Sequence, residues 1–219
     1  MRATCSALFV AALLLGSAPA TAQNEIGVRI QNGFYRSSGL DLVSTNDHLV
    51  GVELGYAREL FELWRGSLWA EASYLASPTH AQSFDGQLES KALFQTITLG
   101  VMYKLPLWRW LVPHARLGVG VLVGSLGLTP RGGDETLDRS AAFAGHFLLG
   151  AELLWPRARR RGFNVGIVVE GGYSFASALD FELTPSRPDD LRAIPVSGQS
   201  LGSLVLHGGE LRVGAVFRF

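Results

Sequence analysis

The sequence predicts an all-β fold: an eight-stranded antiparallel up-and-down barrel that crosses a membrane, with short turns at one rim and long loops at the other. Three observations favour it. Glycine is abundant, at 26 residues, and hydrophobic residues make up 47% of the chain. Eight segments alternate between apolar and small or polar residues, as strands with two different faces do. Beyond the N-terminal segment, no apolar run approaches the roughly 20 residues of a membrane helix.

The first 22 residues read MRATCSALFVAALLLGSAPATA and have the features of a secretory signal. Arg2 supplies a basic start and Ala7–Leu15 an apolar core, and small residues precede a cleavage site after Ala22 or, alternatively, Ala20. A retained membrane helix is disfavoured because the apolar run is too short. We therefore expect this segment to be a signal peptide that is removed before folding.

Removal of the signal leaves residues 23–219 as one barrel domain of about 197 residues. The only cysteine, Cys5, would be lost with the signal, so no disulfide would support the exported chain. Arg2 would be lost as well, so the 19 acidic residues would exceed the basic ones by one. A near-neutral chain does not suit nucleic acid, which selects strongly basic proteins.

Period-two alternation defines the candidate strands. In order along the chain they are Glu25–Arg36, His48–Arg58, Ser67–Leu75, Lys91–Leu105, Leu111–Ser125, Ser140–Trp155, Phe163–Phe175 and Ser203–Phe219. In the second segment, for example, Val50, Val52 and Leu54 alternate with Gly51 and Glu53. Each segment reaches the roughly 9–11 residues that a tilted strand needs to cross a bilayer.

The connections between these segments alternate in length. The second, fourth and sixth are short (ELFELWRG, PLWRW and PRARRRG), and the other four are longer and polar. The short turns therefore lie at one rim together with both termini, which is the layout of outer-membrane barrels with periplasmic turns and extracellular loops. The Arg157–Arg161 run in the sixth connection is either a solvated turn or a site for anionic lipid or a periplasmic acid.

The less apolar face of the strands carries glycines and a few charges. Its glycines are Gly51, Gly55, Gly100, Gly118, Gly120, Gly124, Gly150, Gly166, Gly172 and Gly214. A soluble, lipocalin-like barrel would turn this face to water, where longer charged side chains are favoured. Small residues suit instead the lumen of an eight-stranded barrel, which barely holds side chains. We therefore expect the apolar face to meet lipid.

The charged residues on this less apolar face predict a charge network in the lumen. Its members are Arg29, Glu53, Glu71, Lys104, Arg116, Glu152, Glu170, Glu210 and Arg212. The predicted pairs, subject to barrel stagger, are Arg29 with Glu53, Arg116 with Glu152, and Glu170 with Arg212. Because unpaired charges in a narrow lumen are costly, the network is expected to plug the barrel. The alternative is a hydrated path lined by loosely coupled charges.

Outward aromatic residues form two groups along the strands. Those near the short turns are Tyr56, Tyr103, Trp155, Phe163, Phe217 and Phe219. Those towards the long loops are Phe34, Tyr74, Phe143, Tyr173 and Phe175. Two belts with aliphatic residues between them match the aromatic girdles at the two membrane interfaces, with chance clustering as the alternative.

The last strand ends ELRVGAVFRF, with Leu211, Val213, Ala215, Phe217 and Phe219 on one face. It is expected to close the barrel against the first strand. The ending resembles the C-terminal signal of bacterial outer-membrane barrels, which their assembly machinery recognises. The chain from residue 23 resembles the small eight-stranded barrels of the OmpA membrane-domain and OmpX type.

This resemblance implies an outer-membrane location with both termini in the periplasm. Its implied partners are outer-membrane lipid, lipopolysaccharide and the barrel assembly machinery. The sequence has no cysteine–histidine metal motif, phosphate loop or GxSxG motif. We therefore expect a non-enzymatic barrel without metal or cofactor, which acts through its extracellular loops or as a structural component of the envelope: adhesion, envelope integrity or partner binding.

Two other functions remain open at this point. A lipid A-modifying enzyme would need a nucleophile and a base. The best candidates are His207 and Ser203, which parity places outward, with Glu210, which parity places inward unless a bulge at Gly208–Gly209 shifts the register. His146 with Ser174 in the lumen is a weaker set. The second alternative is a narrow channel for small solutes.

Overall fold

The computed structural model describes residues 23–35, 48–83, 88–130, 136–155, 163–183 and 199–219. The strands are β1 (Asn24–Tyr35), β2 (His48–Leu63), β3 (Gly66–Ser83), β4 (Leu88–Lys104), β5 (Leu111–Pro130), β6 (Thr136–Leu154), β7 (Asn164–Ala176), β8 (Leu179–Leu183), β9 (Gln199–Leu204) and β10 (His207–Arg218). In these ranges, no helix is long and apolar enough to cross a membrane. The predicted signal and the Arg157–Arg161 run lie outside the described residues.

Eight of the strands form a closed antiparallel barrel in the order β1-β10-β7-β6-β5-β4-β3-β2, which confirms the predicted fold class. The first and last strands close it, with Ile26 opposite Phe217 and Ile30 opposite Val213. The pairing continues past the end of β10, since the amides of Asn24 and Phe219 each donate to the other's carbonyl, at 2.8 and 2.9 Å. Closure leaves neither terminal strand with an unpaired edge.

The outside of the barrel is apolar and the inside is polar. On β1, Ile30 is 60% exposed on the outer wall, whereas its neighbours Arg29 and Gln31 are each 2% exposed in the lumen. Along β1 and β2, buried and exposed residues alternate in this way over most of the strand. A soluble barrel has the opposite polarity, with apolar side chains inside. The lipocalin-like alternative is therefore wrong for this chain.

Two features of the long-loop end differ from the sequence prediction. Strands β3, β4, β5 and β6 have 18, 17, 20 and 19 residues, against 12 in β1, so this part of the wall extends beyond the predicted strand ends. The seventh connection also contains a second, two-stranded sheet of β8 and β9, with Leu179 opposite Leu204. The predicted eighth segment is therefore divided, because Ser203 belongs to β9 and the barrel strand starts at His207.

A β-bulge changes the direction of side chains near the first short turn. The pairing of β2 with β3 shifts between Glu59 and Phe61, so that Phe61 lies opposite Leu68 and Glu62 opposite Ser67. The extra residue moves Phe61 to the outer wall and Glu62 to the lumen side. The strand then ends in a two-residue turn in which Trp64 has a positive φ of 61°.

Candidate functional site

The lumen holds a cluster of buried charges at mid-height, here called the central cluster. Its members are Arg29, Arg116, Arg212, Glu53, Glu71 and Glu170, each at most 4% exposed. They come from six of the eight barrel strands, so the cluster ties opposite walls together. Each of these strands contributes one charged residue from an inward-facing position, because every second side chain points into the lumen.

Two arginines bridge the same three carboxylates. Arg29 lies 2.9 Å from Glu53, 3.3 Å from Glu71 and 3.4 Å from Glu170. Arg116 lies 3.0, 2.5 and 3.3 Å from the same three residues. Such charge-assisted hydrogen bonds are stronger than neutral ones, and they offset the cost of removing each charge from water.

Glu53 is the hub of the cluster because it contacts all three arginines. Its Oε1 accepts from Arg29 and Arg116, and its Oε2 accepts from Arg212. Arg212 makes a second bond, of 2.9 Å, to Glu210. Removing the Glu53 charge would therefore affect three buried guanidinium groups at once.

Glycines on the inner wall make room for these long side chains. A Cβ atom at Gly27 would lie 2.9 Å from Arg29 Nη1, and one at Gly55 would lie 2.9 Å from the same atom and 3.0 Å from Glu71 Oε1. A methyl group at either position would require the Arg29 guanidinium to shift from its present place. The glycine-rich inner face thus allows a narrow lumen to hold several guanidinium groups.

A second layer closes the lumen at the short-turn rim. Lys104 Nζ lies 2.6 Å from both Glu25 and Glu152, and Arg218 lies 3.0 and 2.5 Å from the same two carboxylates. Trp69 lies beneath both cations, with its ring centroid 4.4 Å from Lys104 Nζ and 5.2 Å from the Arg218 guanidinium. Four ion pairs and two cation–π contacts therefore form the base of the barrel interior.

Neutral polar groups lie on the long-loop side of the central cluster. Gln31 Nε2 donates to Glu210 at 2.6 Å and to the Tyr35 hydroxyl at 3.2 Å, and Ser174 Oγ donates to the same hydroxyl at 3.3 Å. Next to them is a cavity of about 50 Å³ that also borders His146. That volume holds a few water molecules but no larger ligand.

An apolar cap covers the lumen at the long-loop end. Leu179 and Phe181 of β8, with Leu204 and Leu206, pack against inward residues of the barrel such as Phe94. Leu179 has no exposed surface and Phe181 is 4% exposed. The hairpin is held to β6 by hydrogen bonds from the Ser177 amide to the Phe143 carbonyl and from the Asp180 amide to Ser140 Oγ.

The structure places all nine predicted network residues in the lumen, but it changes some of their partners. The Arg29–Glu53 pair is present. The predicted Arg116–Glu152 pair is wrong, since the register puts Glu152 opposite Val112 and its charge meets Lys104 and Arg218 instead. The two residues are therefore too far apart along the barrel axis.

The predicted pairing of Glu170 with Arg212 is also wrong as an ion pair. The two residues are direct neighbours on β7 and β10. Their charged groups nevertheless turn to other partners across the lumen, Glu170 to Arg29 and Arg116, and Arg212 to Glu53 and Glu210. In so narrow a barrel, an arginine reaches across the interior as readily as it reaches along the wall.

Among the lumen residues that the sequence analysis did not predict are Glu25, Arg218, His114 and Trp69. Glu25 and Arg218 lie at inward-facing positions and could have been found by extending the alternation to the strand ends. His114, whose Nε2 lies 2.9 Å from Glu170 Oε1, lies two residues before Arg116 on the same inward face of β5. Trp69 gave no sequence signal for its contacts with cations.

The candidate enzyme residues do not assemble. Pairing of β10 is continuous from His207 onward with β7 and from Gly208 onward with β1, so no bulge at Gly208–Gly209 shifts the register. His207 is exposed, whereas Glu210 is buried and bonded to Gln31 and Arg212. In the weaker set, His146 lies opposite Ser174, but Ser174 Oγ donates to Tyr35.

Comparison with known proteins shows the fold. No protein-family model and no curated protein matches the chain. A major outer membrane protein from Thermus thermophilus is similar in structure, with a TM-score of 0.52, 15% identity, and coverage of 90% of this chain and 99% of that one. Neisserial surface protein A is less similar, with a TM-score of 0.49 and 10% identity, and so is Ail of Yersinia pestis, with a TM-score of 0.48 and 15% identity. Each of these two matches covers 90% of this chain and 97% of the other protein. The chain therefore has the fold of small outer-membrane barrels.

Proposed function

We propose that the protein is an integral outer-membrane barrel that is closed to solutes and has no enzymatic activity, and that it acts at the cell surface or as a structural part of the envelope. The observation that carries this proposal is the filled lumen, with buried ion pairs below an apolar cap. Export by a cleaved signal, insertion by the barrel assembly machinery, periplasmic termini and contacts with lipid and lipopolysaccharide belong to the same proposal.

The outer wall supports the membrane location. Aliphatic side chains such as Val52, Leu54 and Ile97 are more than half exposed at mid-height, where water would make them costly. Exposed aromatic residues flank this zone, among them Phe143 at 53% near one edge and Phe219 at 52% near the other. A band of this kind matches the hydrocarbon core and the two interfaces of a bilayer.

The side chains in the lumen favour a closed barrel and disfavour a channel. A solute entering from the long-loop rim would first have to displace the Leu179 and Phe181 side chains, and then break ion pairs that join opposite walls. Eight-stranded barrels have interiors just wide enough for side chains. The cavity between cap and cluster holds only a few water molecules.

Conductance tests the closed barrel. The unmodified protein, inserted into planar bilayers, is expected to give no steady single-channel current, because the buried ion pairs of the central cluster join residues from different walls of the lumen. Insertion should be verified on the same sample by the change in electrophoretic mobility on heating. Large, steady currents from inserted protein would overturn the closed barrel and favour the channel.

Protease accessibility tests the orientation. Proteinase K, which has broad specificity, is added to intact cells and is expected to cleave within Ala176–Gly202 or Gly132–Asp138, in the connections between long-loop strand ends, and to spare Arg157–Arg161. Disrupted cells provide the control, because every connection is then accessible. Cleavage at Arg157–Arg161 in intact cells, with the long connections protected, would invert the orientation.

The surface role is tested by deleting the gene. Loss of adhesion or of serum survival without a change in permeability would support action through the extracellular end. A permeability defect alone would support a structural role. Changed lipid A in a mass spectrum of the deletion strain, restored by the gene, would instead favour the enzyme.

A further inference from the structure

The short turns share a sequence feature that the barrel itself does not require. The turn between β2 and β3 is Trp64–Arg65, and the connection between β4 and β5 contains Trp108, Arg109 and Trp110. Tryptophan followed by arginine thus recurs at the same rim on two separate hairpins. These five residues are called the Trp–Arg rim below.

Trp64 is held in a conformation that its residue type disfavours. It lies at the first position of a two-residue hairpin turn with φ of 61°, where glycine is the usual residue. Its side chain is 99% exposed, so contacts with the described protein do not offset this strain. Residues in disfavoured backbone conformations cluster at functional sites, and a fully exposed indole is accessible to a partner outside the barrel.

The other aromatic rings of the rim also face outward. Trp108 and Trp110 stack with ring centroids 5.6 Å apart, and they remain 57% and 49% exposed. The bulge in β2 adds Phe61 to the same surface, at 51% exposure. Indole rings are amphipathic, with an apolar body and an N–H donor, and they favour the headgroup level of a bilayer.

The arginines give this aromatic surface a positive charge. Arg65 and Arg109 are exposed, and no ion pair with a carboxylate is found for either within the described residues. The nearby Glu62 is exposed and lies on the inward face of its strand, opposite Ser67, and no ion pair joins it to either arginine within the described residues. A guanidinium group binds phosphate through two parallel hydrogen bonds and prefers it to neutral groups.

We propose that the Trp–Arg rim binds the phosphate groups of anionic phospholipids in the leaflet that surrounds the short turns. The inference rests on the proposed function, since it requires the barrel to lie in a membrane with this rim at an interface. The tryptophans lie at headgroup level, and each adjacent arginine holds a lipid phosphate. The rim thereby fixes the depth of the barrel and enriches acidic lipid around it.

The preference of the barrel surface for acidic over neutral lipid tests the role of the two arginines. The protein is inserted into phosphatidylcholine vesicles, and the motion-restricted fraction of spin-labelled phosphatidylglycerol is compared with that of spin-labelled phosphatidylcholine. One arginine near the surface enriches an acidic lipid about fivefold in its own vicinity. Averaged over all the lipid in contact with the barrel, the preference for phosphatidylglycerol over phosphatidylcholine should be about twofold. In the Arg65→Gln/Arg109→Gln double variant, the preference should fall to about one.

A matched control is available at the other rim. Arg139 is also exposed but lies beyond Phe143 at the long-loop end. The Arg139→Gln variant should keep the selectivity of the unmodified protein. Equal loss in this control would show a general charge effect and overturn the assignment to the rim, as would unchanged selectivity in the double variant.

Trp64 gives a second, independent readout. Trp64→Gly removes both the strain and the indole, whereas Trp64→Ala removes only the indole. In vesicles both variants lack the interfacial indole and should unfold several-fold faster than the unmodified protein. The glycine variant, which is relieved of the strain, should unfold more slowly than the alanine variant. Equal rates in vesicles would overturn the interfacial role of Trp64.

Failure of this inference is distinguishable from failure of the proposed function. A protein that does not insert into vesicles, as judged by heat-dependent mobility and protease protection, would contradict the membrane barrel itself. A protein that inserts normally but shows no lipid preference would contradict only the Trp–Arg rim. A preference abolished by the arginine changes would support both.

Discussion

Replacement of Glu53 by glutamine is expected to lower the free energy of unfolding of the barrel by about 3–5 kcal/mol, the usual cost of removing one partner from a buried ion pair. Glu53 contacts Arg29, Arg116 and Arg212, and it is 1% exposed. Glutamine has nearly the same shape, so packing is retained and the change removes mainly the charge. The three guanidinium groups would then share fewer carboxylates in a lumen that water enters poorly.

Equilibrium unfolding in urea of protein inserted into vesicles measures this effect. Glu89→Gln is the matched control, because Glu89 also pairs with a lysine, Lys91, and lies 3.0 Å from the His80 ring, but its side chain is 38% exposed. Surface ion pairs contribute little to stability, so the control should be close to the unmodified protein. Equal losses in both variants would show that the central cluster is hydrated and not a buried plug.

A double-mutant cycle identifies the partner of Arg212. The single change Arg212→Met should also destabilise, and its combination with Glu53→Gln should cost less than the sum of the two. The coupling of Arg212 with Glu170 should be weaker, since their side chains form no direct ion pair. Stronger coupling with Glu170 would restore the partners that sequence reasoning predicted.

The inward set was predictable from the sequence, and its contacts were not. Parity is a local property of each strand, so alternation alone placed Arg116 and Glu53 on the inner wall. Their contact, at 3.0 Å, joins β5 to β2 across the lumen. Such a contact depends on the stagger of the whole barrel and on the reach of a long side chain, neither of which a single segment encodes.

The apolar cap shows a different failure of prediction. Leu179 and Phe181 alternate as a strand does, but β8 has only 5 residues and β9 only 6. Both are too short to cross a membrane, so a search for spanning strands assigned them to a polar loop or joined them to the last strand. Their packing against Phe94 fixes them through tertiary contacts, which period-two reasoning along one segment does not detect.

Deletion of Phe219, or its replacement by aspartate, is expected to abolish most insertion into the outer membrane in cells and to lead to degradation in the periplasm. The expected effect on the folded barrel is much smaller. The side chain is 52% exposed, and the aspartate variant keeps the backbone pairing with Asn24, so its free energy of unfolding should change by about 1 kcal/mol or less. A large defect in assembly with a small defect in stability is what a recognition signal predicts.

Phe163→Asp separates recognition from membrane contact. Phe163 lies in the same belt, is 61% exposed and stacks on Phe217 at 6.0 Å between ring centroids, but it is not part of the last strand. Heat-modifiable barrel in isolated outer membranes measures assembly, and urea unfolding of refolded protein measures stability. If Phe163→Asp reduces the yield as much as Phe219→Asp, the belt and not the terminal pattern is what assembly requires. A normal yield of folded barrel from the Phe219 deletion would contradict the interpretation of the last strand as an assembly signal. Phe219 would then serve only to pair its backbone with that of Asn24.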